Sequence, residues 1–136
     1  MSATPQDAAD AGLPLRRALP LVLLGGMLGG AARIGLMEAF TGHDAWTVLA
    51  ANLVGALALG ILFERLAEHR LRRTGTWAFW GPGVLGAFTT FSGLALLAVD
   101  PARDGEWPWG LLYLVASIGL GVPLAAIGRW LGARGR

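Results

Sequence analysis

The sequence predicts an all-α membrane protein of four transmembrane helices, the third of them broken near the membrane midplane. Three observations carry that expectation. Hydrophobic residues make up 54% of the 136 and charged residues only 15%, where a soluble domain carries about a quarter charged. The apolar residues gather into four blocks, each near the roughly 20 residues a helix needs to cross about 30 Å of hydrocarbon. All six tryptophans, Trp46, Trp77, Trp80, Trp107, Trp109 and Trp130, stand near block ends, where indole keeps its body apolar and its N–H wet.

Residues 1–14 are small and polar, with two aspartates and two prolines. They bury too little apolar surface to fold and are expected to form a disordered cytoplasmic tail. Residues 15–136 then read as one four-span membrane domain.

Span one covers about 18–40 and follows Arg16 and Arg17; Arg33 and Glu38 are its only charges. A basic start before an apolar stretch also describes a secretory signal, but three further apolar blocks make this segment part of the bundle. Span two covers about 45–66, span three about 76–99 and span four about 107–131. Their apolar stretches lack the polar stripe that a soluble helix shows at helical spacing. A helix satisfies its own backbone hydrogen bonds, which lipid cannot do.

Glycines, 21 in all, let helices approach closely where lipid gives no hydrophobic drive for association. Gly25-Gly26 and Gly29-Gly30 make two overlapped small-residue pairs in span one, and Gly55 and Gly60 lie in span two. Span three differs. Pro82 and the glycines at 81, 83, 86 and 93 weaken it, and Thr89, Thr90 and Ser92 place hydroxyls near its middle. Such residues can re-satisfy backbone groups freed by a break. Transport proteins use broken helices to turn carbonyls and helix ends toward ions; a kinked structural helix is the plainer alternative.

Basic residues set the orientation. There is no lysine, and nine of the eleven arginines fall in the N-terminal segment, the loop between spans two and three, and the C-terminal end. With four spans these lie on one side, so both termini are expected in the cytoplasm of a bacterial inner membrane. The pI near 10.4 does not indicate nucleic-acid binding, because the arginines sit between apolar blocks and not along one helix face.

At span three the chain resembles a known family. Gly86-Ala87-Phe88-Thr89-Thr90-Phe91-Ser92 is similar to the GGxTTFSTF signature of the CrcB/Fluc fluoride channels. Residues 25–33, ending in Arg33, resemble that family's GGxxGAxxR, and Asn52-Leu53-Val54-Gly55 its NxxG segment. Tyr113 and Ser117 stand where the family carries a tyrosine and a polar residue one turn later. The resemblance implies an antiparallel dimer with two narrow pores that pass fluoride selectively. It implies a structural Na⁺ at the dimer interface, held by the carbonyls of Gly86 and Thr89. It places Asn52, Thr90, Phe91, Ser92, Tyr113 and Ser117 along the pore and gives Arg33 a structural role.

These residue types suit the task. A pore for a small, tightly hydrated anion must replace water with N–H and O–H donors, which Asn, Ser, Thr and Tyr supply. A phenyl ring offers its positive edge. A bound cation raises the local potential. Arg33 is costly in lipid and is expected to face protein or water, or to snorkel to the interface.

Two departures modify the expectation. After Ser92 the family pattern runs Thr-Phe, but here Gly93-Leu94 follows, and Leu94 offers no ring edge. Gly119 and Gly121 occupy positions where hydroxyls are common in the pattern. The arginine bias is also too strong for one sequence to insert both ways. A heterodimer with an oppositely oriented homologous subunit is therefore favoured over a homodimer.

Two other readings stand beside the channel. A non-conducting assembly subunit fits the glycine-rich packing and the degenerate pore positions. A small multidrug-resistance-type exporter shares the size and span number but needs a membrane-embedded acid, and Glu38 is the only candidate. No enzyme is expected: His43 and His69 lie in loops, and no His, Asp and Glu cluster has ligand spacing. The absence of cysteine excludes disulfides and thiolate metal sites.

Overall fold

The computed structural model describes residues 13–42, 44–66, 75–103 and 105–134. Among them the secondary structure is entirely helical. Helix α1 spans Leu15–Ala39 and α2 spans Asp44–Arg65. Then come α3 (Gly75–Ala78), a π-helical segment (Phe79–Leu85), α4 (Gly86–Phe88), α5 (Phe91–Arg103) and α6 (Trp107–Arg134). Four stretches are long and apolar enough to cross a membrane: Leu15–Ala39, Asp44–Arg65, Gly75–Asp100 and Trp107–Arg134. The shortest has 22 residues, about 33 Å of helix. Of the tail expected over 1–14, only Leu13 and Pro14 are described; the arginines at 70, 72, 73 and 136 and both histidines lie outside the described residues.

Gly42 (φ 85°) and Gly105 (φ 82°) sit in the turns before α2 and α6, in left-handed conformations that glycine adopts without a Cβ penalty. Span two packs along span four, and span one packs against the π-helical segment.

Glycine makes both seams possible. A Cβ on Gly25 would strike the Phe79 carbonyl oxygen, and one on Gly29 the Val84 carbonyl oxygen. At the other seam, Gly60 faces the Ala125 carbonyl and Gly128 faces the Leu57 carbonyl, so each helix accepts the other's backbone. Backbone-to-backbone approach maximises dispersion contact where lipid supplies no hydrophobic drive.

Among the described residues buried apolar side chains are few: Val48, Ala51, Ala78 and Leu94. Large apolar groups instead point outward along every span, among them Met27 (71% exposed) and Val122 (68%). Such a surface is stable in lipid or against another apolar surface and is not suited to water.

Candidate functional site

Pro82 sets the local geometry of span three. Proline lacks an N–H and its ring crowds the carbonyl four residues back. The chain responds with a π-helical stretch over Phe79–Leu85, after which the Gly86 N–H donates to the Gly81 and Gly83 carbonyls. π-Helical stretches are rare and recur at functional sites.

Three residues past that stretch the helix stops. Thr89 has φ −78° and ψ 156°, an extended conformation, and its own hydroxyl donates back to the Leu85 carbonyl at 2.9 Å. Helix α5 restarts at Phe91. Thr90 caps it: the Thr90 Oγ1 accepts from the Gly93 N–H at 3.0 Å, the usual reach of an N-cap oxygen to the third helical residue. Thr90 Oγ1 also lies 3.2 Å from Ser92 Oγ.

Asn52 holds the interruption from span two. Its Oδ1 accepts from the Thr90 N–H at 2.8 Å and its Nδ2 donates to the Thr90 carbonyl at 3.0 Å. One side-chain amide thereby gives the Thr90 N–H the acceptor it loses at the break and adds a second donor to the Thr90 carbonyl. Gly55, one turn along α2, makes room for the arrangement, because a Cβ there would collide with the Thr89 Cγ2.

The interruption leaves the carbonyls of residues 86–89 without their helical donors, Gly86 and Thr89 among them. In a continuous helix the Gly86 oxygen accepts from Thr90 and the Thr89 oxygen accepts from Gly93. Here the Thr90 N–H goes to Asn52 and the Gly93 N–H to Thr90 Oγ1. Both oxygens stand at an interrupted helix, where partial negative charge collects. Carbonyl oxygens are the ligands that hard cations take. Among the described residues no group of three His, Cys, Asp or Glu side chains could hold a metal ion.

The interruption opens into a groove of about 760 Å³ between spans two, three and four. Asn52, Gly86, Thr89, Thr90, Phe91 and Ser117 all line it; Ser92, Tyr113 and Arg33 do not. Phe91 is 75% exposed, whereas Thr90 and Ser117 are buried. Ser117 is 6% exposed, and among the described residues its hydroxyl has no hydrogen-bond partner. Burying a hydroxyl unpaired costs on the order of 1–3 kcal/mol, so this group calls for a polar occupant of the groove.

Tyr113 is spoken for elsewhere: its hydroxyl donates to the Ala45 carbonyl at 2.9 Å and ties span four to the start of α2. Leu94, which replaces a phenylalanine of the resembled pattern, is 4% exposed and packs into the groove wall. Gly55, Gly81 and Pro82 join the groove without having been singled out for it by sequence. The signal for Gly55 was present, since it closes the NxxG segment begun by Asn52.

Known proteins agree with this architecture. The sequence profile of the family described as CrcB-like protein, Camphor Resistance (CrcB), matches residues 20–129. The chain is 42% identical over 122 residues to the fluoride-specific ion channel FluC 1 of Rhodococcus jostii (strain RHA1), covering 90% of each. It is 38% identical over 112 residues to the FluC 1 of Cutibacterium acnes, covering 77% of this chain and 78% of that one. With the FluC 1 of Streptomyces coelicolor it shares 39% identity over 121 residues, covering 83% and 73%. A profile matched from inside the first span to near the end of the fourth, and relatives matched over 73% to 90% of their length, establish that this multi-pass membrane protein belongs to the CrcB-like family.

Proposed function

We propose that the chain is one subunit of a fluoride-specific channel that lowers cytoplasmic fluoride by passive efflux. The observation that carries this reading is the 42% identity, over 90% of both chains, to a protein named a fluoride-specific ion channel. The unpartnered Ser117 hydroxyl, buried on the wall of a groove that also holds Asn52, Thr90 and Phe91, is the local chemistry that supports it. Fluoride accepts hydrogen bonds and donates none, so it complements a hydroxyl donor and a ring edge. The function is conduction and not catalysis.

The Gly86 and Thr89 carbonyls fit a Na⁺ ion, since each has lost its helical donor and both flank the same interruption. Bound there, at a dimer interface, the ion would supply positive potential along the anion's path. Asn52 then acts by holding the interrupted segment in place, Arg33 structurally in span one, and Ser92 by supporting the Thr90 cap.

The second subunit in this proposal is an oppositely oriented homologue, because nine of eleven arginines fall on one side of the four spans. Both termini are cytoplasmic on the same ground. Reconstitution tests the whole reading: fluoride efflux from proteoliposomes, with this chain alone and with a homologue of opposite arginine bias. Efflux only with the partner supports a heteromeric channel. Silence in both cases favours the non-conducting assembly subunit, a reading that Leu94 in place of a phenylalanine keeps in play. The exporter reading loses ground, since Glu38 is exposed at the end of α1 and α6 carries no acid at all.

A further inference from the structure

A second groove, of about 330 Å³, lies between α2 and α6 at the arginine-bearing end of the bundle. Glu64, Ala126, Arg129, Trp130 and Ala133 line it. Arg129 forms its wall. Its Nε donates to Glu64 Oε2 at 3.3 Å, and its Cζ lies 5.7 Å from the centre of the Phe63 ring. These two contacts orient the guanidinium while engaging one of its five N–H donors, and its side chain stays 60% exposed. The Arg134 Cζ sits 3.3 Å above the ring of Trp130, a residue of the groove wall. Arg129 and Arg134 are thus each held by an aromatic ring, and Trp130, which lines the groove, is itself 52% exposed.

We propose that this groove binds the phosphate headgroup of an anionic phospholipid. Guanidinium forks match phosphate oxygens in pairs and shed water readily. Basic pockets between transmembrane helices are favourable headgroup sites. Tryptophan belongs at headgroup depth, with its N–H available to a phosphate or glycerol oxygen. The face that carries Ala126 continues along α6 through Val122 and Val115, 68% and 58% exposed, so acyl chains have an apolar track leading from the groove. That track favours a lipid over free phosphate, which has no use for it.

Native mass spectrometry of the full-length protein in neutral detergent tests the site, with phosphatidylglycerol and phosphatidylcholine of matched chains as probes. Phosphatidylglycerol is expected to bind at least about fivefold tighter, with its preference reduced on the order of tenfold in Arg129→Gln/Arg134→Gln. Arg134→Gln alone, which breaks no ion pair among the described residues, is expected to lose part of that preference and serves if the double variant folds poorly. Arg65→Gln, outside the groove, should bind as the parent does. Equal affinity for the two lipids, or unchanged binding by the Arg134 variant, overturns the proposal. So does displacement of the lipid by millimolar inorganic phosphate, which would mark a free-phosphate site. The readout is independent of conduction, so a silent channel leaves this test intact.

Discussion

Asn52 and Ser117 line the same groove but are set apart by what their polar atoms touch. Asn52 gives both ends of its amide to the Thr90 backbone. Asn52→Ala should therefore release the interrupted segment. Two lost hydrogen bonds at about 0.5–1.5 kcal/mol each predict a loss of about 1–3 kcal/mol, read as a lower melting temperature of the detergent-solubilised protein together with lost fluoride flux. Ser117→Ala removes a hydroxyl without a partner among the described residues, so the melting temperature should hold or rise while flux falls. A matched fall in both quantities for Ser117→Ala would show that the hydroxyl is structural. The sequence marked both residues through motif resemblance, yet it could not separate these roles. The partner of Asn52 is 38 positions away, and only the assembled bundle decides whether an amide meets backbone or groove. Tyr113 makes the same point: spacing pairs it with Ser117 on one helix face, but its hydroxyl reaches Ala45.

Among whole elements, the decisive feature is which glycines face a neighbour. Residues four apart share a helix face, so span one offers two faces, Gly25 with Gly29 and Gly26 with Gly30. Packing selects the first pair: a Cβ on either would meet backbone of the π-helical segment, whereas Gly26 and Gly30 have open space. The same holds where Gly128 meets the Leu57 carbonyl of α2. Gly128→Ala should force spans two and four apart and lower the folded yield several-fold on size-exclusion chromatography. Gly30→Ala should leave the yield unchanged, or raise it slightly through better helix propensity. Comparable losses in both variants would place an unseen partner on the open face. The number of spans was legible in the sequence because hydropathy and length fix it. The pairing face was not, because both glycine pairs carry the same local signal. Likewise, Pro82 and its flanking glycines announced a weak third span, but no local pattern distinguishes a kink from a π-helical stretch followed by an extended Thr89.

For the molecule as a whole, the balance between buried and exposed apolar groups is the governing fact. Among the described residues only four apolar side chains are buried, and the groove at the interrupted span lies open. In the proposed channel a second subunit would complete such a surface, and the arginine distribution bears on which subunit that would be. An antiparallel pair of identical chains requires half the molecules to place nine arginines on the unfavourable side, and each such residue weighs against the inversion. A single orientation is therefore the expected outcome. The chain has no cysteine, so one introduced thiol reports it cleanly. Thr41→Cys, in the exposed turn between α1 and α2, should react fully with a membrane-impermeant thiol reagent from outside intact cells. Roughly half-labelling would instead reveal dual insertion and remove the ground for a heteromeric partner. Exchanging Arg70, Arg72 and Arg73 for glutamine should weaken the bias and shift labelling toward that half-way value. If the homodimer is then competent, fluoride efflux by this chain alone should appear together with the mixed orientation. Efflux that stays absent despite mixed insertion would locate the defect in the groove itself, at Leu94 and the glycines of span four, and not in the direction in which the chain enters the membrane.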